Sequence, residues 1–207
     1  MGVTTAKENI LKKIRTALAQ PVPLPFPLSE GTPDLYHAPQ DELEIIFAES
    51  FTKLQGKFIF CADENELHQQ LQLLIANKEW MKIFCNDDRW NETYSNTISL
   101  ESCDASVTGC ELLVARTGTI VMSAAEQSGR TVSVYAPIHI CIAYTNQLVY
   151  DIKDALQALK EKYAAAIPSF ITFASGPSRT ADIEKTLVTG VHGPKEVYLF
   201  LVDSEVV

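Results

Sequence analysis

Apolar positions along this 207-residue chain switch repeatedly between helical and strand-like spacing. Between Lys7 and Ala19, Ile10, Leu11, Ile14 and Leu18 fall at helical spacing. This predicts an amphipathic helix with a basic outer face. A helix of this length is marginal in water, so its stripe needs a partner on the main domain or on another subunit. A proline-rich stretch follows, with Pro21, Pro23, Pro25, Pro27, Pro33 and Pro39. Proline excludes helix interior and central strand. The segment is expected to run extended as a linker, with Val22, Leu24, Phe26 and Leu28 packed on a neighbour. From Asp41 the pattern alternates. A helix to Leu54, a strand over Lys57 to Cys61, a helix capped by Asp63 or Asn65 through Ile75, and a strand over Lys82 to Cys85 are predicted. Asp87 then opens a short helical or irregular stretch. Such alternation implies a mainly parallel sheet covered on both faces.

The middle of the chain changes character. Ser106 to Ala115 has strand or short-helix potential, and Thr117 to Ser123 is apolar and β-branched. Arg130 to Tyr135 alternates, which predicts a strand with Val132 and Val134 on one face. His139 to Tyr144 reads as a strand, and Asn146-Gln147 as a turn into Leu148 to Tyr150. Short runs joined by tight loops predict antiparallel additions to the sheet. Asp151 or Asp154 opens a helix through Tyr163.

Ser169 to Asp203 organises the candidate chemistry. Phe170 to Ala174 is predicted to be a buried strand, broken by Gly176-Pro177. Ser178 or Thr180 can cap a following helix, with Asp182 and Glu184 in its first turn and Ile183, Leu187 and Val188 as its stripe. Gly190 would stop that helix, and Val197 to Val202 would be a second parallel strand reached by the crossover. Ser175, Gly176, Ser178, Arg179 and Thr180 would then sit at the carboxyl edge of the sheet, where open α/β sheets bind ligands. Free N–H groups, hydroxyls and a guanidinium suit an anion. The plainer alternative is a shaped turn, a serine cap, and Arg179 paired with Asp182 on the surface.

Other residues extend the list. Thr117, Gly118 and Thr119 form a small turn that admits a close ligand, or only a bend at a strand start. His139 and His192 are two of four histidines, and each can act as acid, base or anion donor, or serve a structural role. Arg130 and Arg179 could clamp a carboxylate or phosphate, or form surface salt bridges.

Composition narrows the function classes. The net charge of −9 argues against nucleic acid or an anionic membrane surface as partner. No apolar run is long enough to span a bilayer, and the N-terminus is charged throughout, so a cytoplasmic protein is expected. The five cysteines, Cys61, Cys85, Cys103, Cys110 and Cys141, contain no C-x-x-C spacing. No disulfide framework, metal site or internal iron–sulfur cluster is therefore expected, and Cys103 and Cys110 are the closest approach to one. Walker, dinucleotide, zinc-protease and nucleophile-elbow motifs are absent from the sequence.

GPSRTADIE followed by GVHGP resembles the signature of the LUD-domain family, in particular its lactate-utilisation protein C group. GCELLVARTGTIVMS, GRTVSVYAPIHI and the N-terminal ENILKKIRTAL resemble the same family. The resemblance implies a Rossmann-like α/β fold, a mainly parallel sheet with antiparallel additions, similar to the sugar-phosphate isomerase and coenzyme A transferase superfamily. It divides the chain into an N-terminal helix and linker, 1–39, and a LUD-like domain, 40–207. It moves the Thr117 to Thr119 turn toward a binding loop. Members often carry an acidic residue just before that turn, where this chain has Arg116. Chemistry resting on that acid is lost here, or has passed to Glu111 or Glu126.

The functional expectation is a component of L-lactate oxidation to pyruvate that binds a small anionic ligand. Iron–sulfur clusters are expected only in partner proteins, with no cofactor in this chain. The alternatives are a stand-alone enzyme on a phosphorylated or acyl-CoA substrate, and a non-catalytic ligand-binding protein.

Overall fold

A computed structural model describes residues 6–19, 39, 41–90, 94, 97–183 and 186–204. The chain divides into two compact units, residues 1–38 and 39–207. In the first, α1 (Ala6–Leu18) is the amphipathic helix that the spacing predicts. The extended linker and the packing of Val22, Leu24, Phe26 and Leu28 lie outside the described residues.

The second unit is built on a five-stranded sheet. β1 (Lys57–Cys61), β2 (Ile83–Cys85), β3 (Ala105–Thr108), β6 (Ile138–Tyr144) and β11 (Glu196–Val202) lie in the order β1-β11-β6-β3-β2. Every pairing in it is parallel. Side chains alternate across the central strands, as the period of two requires. Ile140, Ile142, Tyr198 and Phe200 pack on one face with Leu67 and Leu71 of α3 (Glu64–Lys78). Cys141, Ala143, Leu199 and Leu201 pack on the other with Phe47 and Phe51 of α2 (Leu43–Lys53). Each of these phenylalanines contributes roughly 1.5–3 kcal/mol by its burial. Asp63 caps α3 by accepting from the Glu66 amide at 2.8 Å.

A second sheet of four strands shares the α2 face. β4 (Leu112–Val114), β5 (Thr119–Ser123), β7 (Leu148–Val149) and β8 (Ile171–Ala174) run in the order β7-β4-β5-β8. β5 pairs antiparallel with β4 and β8, and β7 pairs parallel with β4. Leu113 and Ile120 face the large sheet, whereas Val114 and Val121 face Ala155 and Leu159 of α5 (Ile152–Tyr163). Asp151 caps α5, with Asp154 reaching back to the Asp151 amide at 2.9 Å.

Three expectations need correcting. Arg130 to Tyr135 is not a strand: Val132–Tyr135 is a single helical turn, α4. Val132 is buried while Val134 is exposed, an arrangement that two residues on one strand face would not give. β8 is not a buried strand, since Phe170 and Phe173 are exposed at the margin of the small sheet. The crossover helix after Gly176 does not form. β9 (Arg179–Ile183) and β10 (Thr186–Thr189) make an antiparallel hairpin instead. β-branched residues at 180, 183, 186, 188 and 189 favour a strand and weigh against a helix. Glu184, placed in the expected helix's first turn, lies outside the described residues. β8 and β11 therefore belong to different sheets, and the hairpin stands between them in sequence.

Candidate functional site

The hairpin brings its two ends together. The Ser178 amide donates to the Pro194 carbonyl at 2.9 Å, and the Gly190 amide donates to the Ser178 carbonyl at 3.0 Å. The expected helix would have carried His192 to the far edge of the sheet; the hairpin returns it beside Ser178. Ser175, Gly176, Ser178, Arg179 and His192 line one cavity of about 360 Å³. Its floor includes Ile120 and Met122 of β5, and His139 and Val197 near the amino ends of β6 and β11. The cavity thus lies at the amino edge of the parallel strands, not the carboxyl edge that the crossover reading implied. Among the described residues no carboxylate lines it.

The Thr-Gly-Thr turn buttresses this cavity from behind. Thr119 is buried, and its Oγ1 lies 2.7 Å from Ser175 Oγ and 2.7 Å from Thr117 Oγ1. Gly118 has φ +56°, and a Cβ there would lie 2.5 Å from the Phe51 amide nitrogen. Its close approach is therefore to the α2 backbone. Gly176, at φ +76°, meets the same helix end, where a Cβ would lie 2.7 Å from the Leu54 carbonyl oxygen. The Arg179 Nη2 donates to that Leu54 carbonyl while the residue lines the cavity. The end of α2 is thus the common anchor of both loops.

His139 is fully buried, and burial pushes its pKa down to about 4. It is neutral near pH 7. The Thr108 hydroxyl donates to the Gly109 carbonyl at 2.9 Å, so His139 Nε2 is the donor in the 2.8 Å contact with Thr108 Oγ1. The other ring nitrogen is then an acceptor, which suits a cavity wall better than an anion ligand. His192, by contrast, is exposed.

The remaining sequence candidates lie elsewhere. Arg130 donates to Ser169 Oγ at 2.5 Å and sits over the Phe170 ring, outside the cavity lining. Thr180 is on β9 opposite Val188. Arg116 pairs with Asp151 at 2.8 Å and holds that carboxyl below its usual range. Glu111 and Glu126 do not line the cavity either. Glu111 is buried with Ser123 at 2.5 Å, Tyr163 at 2.5 Å and Lys162 at 2.6 Å, and these partners lower its pKa despite burial. Burial, then Glu111, raise that of Glu126. Ser133 and Thr172 line the cavity without having been singled out. Both carry small hydroxyls in stretches read only as strand, so nothing in their spacing marked them.

All five cysteines are free and buried. Cys103 Sγ donates to the Leu100 carbonyl at 3.1 Å, whereas the Cys110 thiol is hydrogen-bonded with the Cys141 thiol. No group of three metal-ligating side chains is assembled among the described residues, nor is any helix there long and apolar enough to cross a membrane. Two larger cavities, of about 770 and 830 Å³, lie elsewhere. Trp80, Met81 and Tyr94 line the first; Ile45, Phe58 and Phe60 line the second. Neither holds the residues of the signature segments.

The LUD domain model matches residues 76–202, which include both signature segments and more than half of the chain. The chain belongs to the LUD domain family. A Lactate utilization protein C from Exiguobacterium is 31% identical, with 97% of each chain covered. Another of that name from Deinococcus radiodurans is 27% identical, with 95% of each covered. A crystal structure of a DUF162 family protein from Deinococcus radiodurans superposes with a TM-score of 0.58 at 19% identity, covering 78% of this chain and 96% of that one. That structural likeness establishes the α/β fold; the family assignment rests on the sequence matches.

Proposed function

We propose that this LUD protein is a component of L-lactate utilisation that takes a small anionic ligand, a carboxylate or phosphate, at Ser178, Arg179 and His192. One observation carries the reading: residues of two separate signature segments, Ser178, Arg179 and His192, line one cavity that has no carboxylate residue in its lining among the described residues. Such donors match a carboxylate or phosphate. The names of the relatives supply the process. Oxidation of lactate removes an electron pair, so an acceptor is needed. The cysteine spacing offers no cluster motif here, so the clusters would reside in iron–sulfur partner proteins that act beside this chain in the cytoplasm.

A second reading, ligand binding without turnover, draws support from Arg116. It stands where the family resemblance leads one to expect an acid, and it pairs with Asp151. The test is L-lactate-dependent dye reduction by the purified chain, alone and with cluster-bearing proteins that co-purify with it. Activity only in the mixture supports the proposal. Turnover by the chain alone would replace it with a stand-alone enzyme. Saturable binding with no activity in either sample would favour the second reading.

A further inference from the structure

The anion cavity does not end at His192. Val134, His192 and Gly193 line it and also line a second cavity of about 430 Å³. Tyr135, Val191 and Lys195 wall that second space. Three apolar side chains are exposed there: Tyr135 by 63%, Val191 by 42% and Val134 by 39%. Scattered exposed apolar residues need no explanation, but a contiguous group beside a polar cavity marks a binding surface. The surface is also pinned. The Lys195 amide donates to the Pro137 carbonyl at 2.7 Å, which fixes the lysine backbone near the end of α4, where Tyr135 stands. A three-carbon acid would occupy only a fraction of either space, since pockets of roughly 300–1,000 Å³ take drug-sized ligands.

We infer that the two cavities form one cleft for a ligand in two parts: an anionic group at Ser178, Arg179 and His192, and a planar ring against Tyr135 and Val191. An anion site joined to a ring face fits a ring-bearing phosphate ester such as a nucleotide, and Lys195 adds a cation on the ring side. The inference rests on the anion-site reading above and extends it. A tyrosine face stacks planar rings with little entropic loss, because only two side-chain torsions must be fixed.

The test is calorimetric titration of the full chain with inorganic phosphate and, separately, ADP. Both should bind, with ADP at least tenfold tighter. Tyr135→Ala should bring ADP down to the phosphate level and leave phosphate binding unchanged. Tyr135→Phe keeps the ring and should keep the preference. Tyr135 is exposed, so these variants are expected to fold. Equal affinity for ADP and phosphate in the wild type would overturn the two-part cleft while leaving the anion site standing. So would an ADP preference that survives Tyr135→Ala. Absence of binding by either probe would remove the anion site itself, and the inference with it.

Discussion

Thr119 Oγ1 and Ser175 Oγ lie 2.7 Å apart although 56 residues separate them in sequence. The contact extends the antiparallel pairing of β5 with β8, in which Ile120 faces Ala174, by one step into the loop. It sets the position of a cavity residue from a buried one. Thr119→Val keeps the shape and removes the hydroxyl. Denaturant unfolding should show a loss of about 1 kcal/mol, the usual worth of such a bond. Phosphate affinity should fall as well, and Thr119→Ser should restore both. Unchanged affinity in Thr119→Val would detach the turn from the site.

Gly118 tests the same buttress by steric means. An alanine there must adopt a positive φ and push against the Phe51 backbone. Left-handed strain and overpacking together should cost roughly 2–4 kcal/mol. Thermal unfolding of Gly118→Ala is the measurement. A loss below 1 kcal/mol would mean that α2 yields easily and does not anchor the loop.

His139 predicts a pH dependence with a definite sign. Its folded pKa, about 4, lies below the ordinary 6.5. Between these values the unfolded chain binds the proton and the folded chain does not. Stability is therefore fully present above about pH 6.5, and is lost as pH falls toward 4. The loss should reach about 2 kcal/mol by pH 5. The lowered carboxylates Asp87, Glu111, Asp151 and Glu196 start from ordinary values of 3.8 to 4.5, so their losses fall mainly at lower pH. Glu126, raised by burial, opposes the trend. Urea midpoints at pH 7.5 and 5.0 for wild type and His139→Gln isolate the histidine. The variant should lose much less than the wild type over that interval, and equal losses would contradict the assignment.

Much of the fold was legible because it follows local periodicity. β1, β5, β6 and β11 match their apolar runs closely, and Asp63 and Asp151, each one of two cap candidates, cap their helices. The hairpin was misread because Thr180, Asp182 and Glu184 satisfy the rules for a helix start as well as the β-branched pattern satisfies those for a strand. The choice depends on tertiary pairing that no local rule sees. That error also put the loop residues at the carboxyl edge of the sheet, whereas the cavity they line is at the amino edge. Ser175, Gly176, Ser178 and Arg179 were nevertheless grouped, because they follow one another along the chain whatever form the next segment takes; Thr180, grouped with them, does not line the cavity, and only the hairpin brings His192 to it. Gly118 was marked as a point of close approach to a ligand, but the approaching group is the end of α2, more than 60 residues earlier in the chain; Gly176, read as a strand breaker, meets the same helix end.

The central claim is that Arg179 holds an anion at this cavity as well as bonding the end of α2. Calorimetric titration of wild type and Arg179→Ala with phosphate and L-lactate, beside urea unfolding of both, tests it most directly. Loss of the Leu54 bond should cost about 1 kcal/mol, leaving the variant folded. Affinity for at least one probe should fall at least tenfold. A folded Arg179→Ala protein that binds both probes as the wild type does would contradict the account.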